Sequence, residues 1–408
     1  MLAKIREDPG WVRDELSLGE EYDFLASELN GESSIFGGEF EEIKIKKTGE
    51  FPLKVSLNIT STGKYREARK KINVDVNVDY LYAEEIFRGI WTRSLSGLKL
   101  SHGVEVTSDV MASDGEVILP AGTRIKGDVY SKKKVVLEEK QGNEFVELEG
   151  DIFVQGIGLA AGDYALEIKK GAVINNAYVE NGKVYISEGN KEAVNPLING
   201  KIYVKNIDQL DEEWREKNPG KWEVKPELSC GQYIPPYPNL LTGERLKWYE
   251  ENADFRYEGQ GSPIFFDTDM LNNLNGLYFV NGDAIFSGEY SGNGTFVVNG
   301  DVTFKKFSGR DKASLVPENN ETDCLAILCT GVFETRDANG EIHALLYSSS
   351  DSFTEIKNKT EINGAIVIPN IKSNGYELNF VYDDALINRY SQNLIWTTCI
   401  ISIEKWSS

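Results

Sequence analysis

The sequence predicts an all-β chain: a parallel β-helix (β-solenoid) interrupted by one long strap loop rich in aromatics and proline, and preceded by a small α+β segment. Three observations carry this. The triplet Asn281–Asp283 (Asn-Gly-Asp) returns at Asn299–Asp301, eighteen residues on, and each copy is flanked by short aromatic or β-branched runs. The string Asn181-Gly182-Lys183-Val184-Tyr185-Ile186 returns as Asn199-Gly200-Lys201-Ile202-Tyr203-Val204, again at eighteen. A Gly-Asp-hydrophobic step occurs at Gly127–Val129 and again at Gly150–Ile152. Asn-Gly also suits hairpin turns. A shared period in two separate pairs reads instead as stacked coils, with Asn and Gly at corners where φ turns positive.

Taken in order, residues 1 to about 40 read as partly helical. Trp11, Val12, Leu16 and Leu18 are apolar among acidic neighbours, and Pro9 sits near a helix start. From Glu41 the period becomes two. Val55, Leu57 and Ile59 alternate with polar residues, and so do Ile72, Val74, Val76 and Val78 beyond a polar loop. That predicts two half-buried antiparallel strands within a 1–96 segment. Residues 97–205 read as the first part of the β-helix. The pattern collapses over 206–263, which holds six of the twelve prolines and three of the seven tryptophans. Short helices are expected there at Asp208–Glu216 and Thr242–Glu251. The solenoid resumes over 264–408, where the apolar run Leu394–Ile403 is expected to cover the last coil, because an open solenoid end invites aggregation. Inward positions are expected at Ile118, Val129, Ile152, Val184, Ile186, Ile202, Val204, Phe279, Ile285, Val297, Val302, Ile366 and Ile368.

Composition narrows the function. A formal charge of −21, from 65 acidic and 44 basic residues, argues against nucleic acid or an anionic membrane as partner. Two histidines and four cysteines without CxxC, HExxH or GxSxG leave no zinc, redox or hydrolase signature, and the thiols read as buried and free. No run approaches the roughly twenty apolar residues of a membrane span. No signal peptide opens the chain, so it is either cytoplasmic or cut downstream of its targeting segment. Asp267-Thr268-Asp269, with Asn272, Asn273 and Asn275 behind it, resembles the start of a calcium loop but lacks the closing Glu, and reads as a solvated turn. Asp283 and Asp301 would stack about 4.8 Å apart, which needs solvent, a cation or an altered pKa. No metal, cofactor or catalytic residue is assigned.

The strap is different. It carries Trp214, Trp222, Tyr233, Tyr237, Trp248, Tyr249 and Tyr257, too many rings for disorder. Such rings either glue the strap to the solenoid or grip neutral sugars, a ring face covering the apolar face of a pyranose. Tyr233 and Tyr237 bracket the stiff Pro235-Pro236 and are expected to be the leading contacts. Trp222 and Trp248 come next, as inward anchors.

The string VSLNITSTGKYREARKKINVDVNV is similar to the soluble part of pilus-associated, PilX-like proteins of bacteria. With the solenoid, the strap and the 276–304 repeat, the layout resembles the C-terminal portion of a tapirin. Tapirins are cell-surface proteins of thermophilic, plant-biomass-degrading bacteria, encoded beside type IV pilus genes, that bind crystalline cellulose without hydrolysing it. The resemblance implies a non-catalytic, extracellular adhesin whose partners are cellulose or other insoluble plant polysaccharide, and type IV pilus components. Two other readings stand beside it. One is a structural, pilus-associated or polymerising solenoid. The other is a polysaccharide lyase or hydrolase, which would need a carboxylate or basic constellation not evident here.

Overall fold

The computed structural model describes residues 16–23, 34–35, 38–51, 54–80, 87–94, 97–100, 102–188, 195–234, 237–241, 243–305, 314–335, 340–356, 360–373, 379–382 and 399–407. The chain forms two compact units, residues 1–85 with 395–408, and residues 86–394.

The first unit is an antiparallel sheet in the order Glu21–Asp23, Gly38–Phe51, Lys54–Tyr65, Ala68–Tyr80, Cys399–Ser407, with Ser34–Ile35 also against Gly38–Phe51. The alternation expected from Val55 to Val78 lies in its two central strands. Val55, Leu57, Ile59, Val76 and Val78 are buried with Ile45 and Leu16. The opposite face carries side-chain rungs, Ser56 to Asn77 at 2.8 Å, Asn58 to Asp75 at 2.8 Å and Thr60 to Asn73 at 2.7 Å. Most of the helix expected before residue 40 falls outside the described residues, and Glu21–Asp23 is strand. Of the C-terminal run expected to cover the last coil, residues 394–398 lie outside the described residues. Cys399–Ser407 is an antiparallel strand of the first unit, paired with Ala68–Tyr80, and not a coil of the solenoid.

The second unit is a parallel β-solenoid with an unusual chain path. One sheet runs its whole length through thirteen strands. It starts at Trp222–Val224 and passes through Ile202–Val204, Ala177–Val179, Ile152–Val154, Val129–Ser131, Asp109–Ala112 and Gly89–Thr92. It continues through Glu361–Val367, Glu341–Ser348, Cys324–Cys329, Gly292–Asn299 and Leu274–Asn281 to Phe255–Glu258. The chain thus enters in the middle, winds outward to one end, crosses to the other end and winds back. The two halves meet as parallel strands, with Ile90 beside Ile366 and Trp91 beside Val367. The first half is three-sided, with two further five-stranded faces. The second half has one other face of six strands. Small and aliphatic residues fill the first half, whereas phenylalanines fill the second, Phe266 stacked on Phe286, Phe304 on Phe333, and Phe296 edge-on to Phe266 and Phe286.

The corners explain the repeated Gly-Asp steps. The Asp109 carboxylate accepts the Asp128 backbone N–H at 2.9 Å, Asp128 accepts that of Asp151 at 2.7 Å, and Asp151 accepts that of Asn176 at 3.2 Å. The second half repeats this, Asp283 accepting from Asp301 at 2.9 Å and Asp301 from Val332 at 2.8 Å. Stacked carboxylates are therefore held by the amides of the next coil. The preceding glycine is required by space. A Cβ on Gly150 would lie 2.2 Å from the Gly127 carbonyl oxygen.

The two sequence repeats turn out unlike each other. Asn281 and Asn299 are true neighbours in adjacent coils. Lys183–Ile186 and Ile202–Val204 instead lie on different faces, paired with Tyr164–Ile168 and Ala177–Val179. The same Asn-Gly string serves two different corners there, with Gly182 at φ +80° beside Ala165 and Gly200 close against Asn176. Nor does the coil pattern stop between 206 and 263. Trp222–Val224 and Phe255–Glu258 are the two end strands of the long sheet, so the true excursion is 225–254. The expected helices are present as Glu212–Lys217, after a short turn at Ile207–Gln209, and as Gly243–Asn252. Of the expected inward positions, Val129, Ile152, Val184, Ile202, Val204, Val302, Ile366 and Ile368 lie in the core, and Ile186 packs against it. Ile118 and Ile285 are half-buried with opposite parity, since their neighbours Val117, Leu119, Ala284 and Phe286 point inward. Phe279 and Val297 also point outward, yet they are buried.

Candidate functional site

The burial of outward residues locates the site. Along the long sheet one outward row runs Tyr203, Tyr178, Phe153, Tyr130, Met111, Trp91 in the first half. It continues as Val367, Tyr347, Leu328, Val297, Phe279 in the second. Pleat alternation turns this row away from the core. From Tyr130 to Phe279 it is nevertheless buried, because residues 225–254 lie across it.

The strap is fastened at three places. Near its start, Glu180 accepts the Cys230 and Gly231 backbone N–H groups at 2.8 and 3.3 Å. Burial pushes the Cys230 thiol up to about 12, so it stays a thiol. Over the meeting of the two halves, Tyr237 packs edge-on to Trp91 beneath the Arg93 guanidinium and donates to the Ser348 carbonyl at 2.8 Å. One coil on, the buried Tyr347 hydroxyl donates to the Pro238 carbonyl and accepts from Leu240 N–H, both at 2.9 Å. The helix Gly243–Asn252 then packs on Leu274–Asn281 and Gly292–Asn299.

These fastenings sort the seven strap rings. Trp214 is buried on Glu212–Lys217, and Trp222 packs on the end coil with the Arg215 guanidinium over it. Tyr257 sits edge-on to Phe266 and packs against the core. Tyr249 is buried, and burial raises its phenol well above the ordinary value, as it does for Tyr237 and Tyr347. Tyr237 is thus a fastening rather than an open ring. Pro235-Pro236 lies outside the described residues. Only Tyr233 and Trp248 are well exposed, at 40% each. Trp248, expected to be an inward anchor, is held edge-on by Tyr249 on the solvent side of its helix.

Ring faces are what sugars need, and most of the row has none to offer. Tyr130, Phe153, Tyr178 and Tyr203 stack on one another at 4.7–5.0 Å with planes within 12°. Their faces meet each other, and only the edges of Phe153, Tyr178 and Tyr203 meet solvent. The end face of Tyr203 is taken by the Lys225 ammonium, 3.9 Å from the ring centre. Tyr233 tilts 40° over Phe153 at 5.1 Å, which leaves its other side open. Tyr233 and Trp248 sit over coils separated by seven to eight strands of the sheet, roughly 35 Å along the stack at about 4.8 Å per strand.

Asp267, Asp283 and Asp301 are engaged in the fold, while Asp269 is exposed. Asp267 caps its own turn by accepting Met270 N–H at 3.2 Å, and Thr268 accepts Glu289 N–H at 3.1 Å. His343 pairs with Glu341 at 2.5 Å beside Asn363, and His102 pairs with Glu144 at 2.7 Å. Cys230, Cys324 and Cys329 are buried, and no disulfide joins them. Sequence reasoning missed one ring pair, Tyr164 and Tyr185, exposed at 41% and 39%. They stand on ordinary strands with nothing in the local pattern to mark them.

No protein-family model matches the chain, and comparison with curated proteins finds no match. Among solved structures, the competence-associated pilin ComZ from Thermus thermophilus is similar at a TM-score of 0.38 and 10% identity, over 96% of this chain and 86% of the pilin. At that score the likeness carries no weight for fold or function, and the reading of the site rests on this chain's own residues.

Proposed function

We propose that the protein is a non-catalytic, extracellular adhesin that holds crystalline cellulose or another insoluble plant polysaccharide against the cell surface. The observation that carries this is the pair of open rings, Tyr233 and Trp248, set about 35 Å apart on one strapped face. Both stand on rigid support: Tyr233 on the stacked ring ladder, and Trp248 on a helix pinned through Tyr249. Rings spaced along the stack suit a long, flat ligand lying lengthwise, each stack contributing about 1 kcal/mol by analogy with aromatic pairs. The stacked corner carboxylates are committed to backbone amides, which supports binding over turnover. The resemblance of the N-terminal strands to pilus-associated proteins supports attachment through type IV pilus components.

The test is adsorption of pure protein to microcrystalline cellulose, with released reducing sugar measured alongside. Tyr233→Ala is expected to weaken adsorption several-fold and Tyr233→Ala/Trp248→Ala to reduce it by an order of magnitude, with unchanged unfolding transitions. Full adsorption by the folded double variant removes these rings from the site. Sugar release by the pure protein overturns the non-catalytic reading.

A further inference from the structure

A hollow in the solenoid lies away from the exposed rings of the strapped face. It is a cleft of about 530 Å³ between the last strand of a first-half face, Lys183–Ile186, and the helix Glu212–Lys217. Its two walls have different chemistry. One presents Tyr164 and Tyr185, neighbours on adjacent strands with ring centres 5.3 Å apart and planes at 60°. The other presents the carboxylates of Asp208, Glu212 and Glu213 from the turn and helix.

The polar wall is firmly placed. Gln209 donates to the Gly182 and Val179 carbonyls at 2.8 and 3.3 Å and so ties the turn to the coil. Trp214 is buried behind it. Across the mouth, Lys217 bridges Glu188 and Glu213 at 3.2 and 2.6 Å. Within the wall, the Arg215 Nε is buried and has no hydrogen-bond partner. In all, five carboxylates and two cations, Lys183 and Arg215, line the cleft.

We infer that this cleft is a subsite for a short run of uncharged pyranose units. Two angled rings offer apolar faces to sugar C–H groups, while carboxylates and the two cations supply acceptors and donors for hydroxyls. The excess of carboxylates disfavours uronates and sulfated sugars. This inference deepens the polysaccharide-binding reading and rests on it for the choice of ligand class, but it uses different residues.

The experiment titrates cellohexaose, and separately an oligogalacturonate of the same length, into the full chain by calorimetry. Adsorption to microcrystalline cellulose is measured in parallel. Cellohexaose is expected to bind and the oligogalacturonate not. Tyr164→Ala and Tyr185→Ala are each expected to weaken cellohexaose binding about fivefold. Adsorption to the solid should be kept by both, and Tyr233→Ala/Trp248→Ala should show the reverse pattern. Cellohexaose binding untouched by the folded Tyr164→Ala/Tyr185→Ala variant overturns the subsite. So does adsorption to the solid with no cellohexaose binding, or equal affinity for the oligogalacturonate. Cellohexaose binding without adsorption to the solid overturns the adhesin reading and leaves the subsite standing. Binding of neither overturns both.

Discussion

Tyr347 joins strap to coil through one hydroxyl that both donates and accepts. Tyr347→Phe leaves the Leu240 N–H and the Pro238 carbonyl without that partner, at an expected cost of about 1–3 kcal/mol. Faster hydrogen exchange at Leu240, with exchange in the core strands unchanged, is the readout. The buried phenols and thiol also set an alkaline limit. Burial raises Tyr237, Tyr249 and Tyr347, and lifts Cys230 from 9.0 to about 12. Above pH 9 the unfolded chain sheds protons that the folded chain retains, so it binds fewer protons and stability falls as pH rises. Denaturant midpoints are expected to decline from pH 9 toward 12, with a shallower slope in Tyr347→Phe. A flat profile over that range would contradict the burial of these groups. At this scale the strap was only half legible. Tyr233 and Tyr237 look alike in sequence, and nothing near them has a period. What separates them is what each lies across: Phe153 under one, Trp91, Arg93 and Ser348 around the other.

Among elements, the corner ladder is the most exacting. Gly150→Ala is expected to cost about 2–3 kcal/mol or more, because its Cβ meets backbone that cannot yield. Gly142→Ala, at φ +60° with open space around its Cβ, should cost only about 1 kcal/mol. Asp151→Ala removes acceptors from Asn175 and Asn176 together and should fall near 1–3 kcal/mol. Thermal unfolding of the three variants ranks them, and equal losses for both glycines would argue against the close corner approach. The Gly-Asp steps were legible because corner chemistry is local. Strand parity was not legible at Phe279 and Val297, since a strand buried on both sides loses its alternation. Core on one side and strap on the other leave both kinds of position apolar.

For the whole molecule, two units with separate cores should unfold in two steps in denaturant, the antiparallel sheet and the solenoid following different probes. One coincident transition would argue against that separation. The solenoid itself was readable from periodic turns, but its chain path was not. No local pattern announces that Gly89–Thr92 will settle beside Glu361–Val367. That pairing joins segments far apart in sequence, so its formation is expected to be slow compared with coil-on-coil growth. The same path decides how the fold bears tension. A solenoid pulled by its end coils yields one coil at a time. Here a pull on Phe87 and on Tyr382, the end of a strand Asn379–Tyr382 that pairs with Glu361–Val367, enters at the midpoint, where the parallel strands meet and Thr92, Arg93 and Ile368 bond across the seam. Those bonds are loaded together in shear, and the outer coils lie off the line of force. Single-molecule stretching should record one high-force rupture followed by rapid extension. The surfaces under Tyr233 and Trp248 would then keep their shape until the seam itself fails.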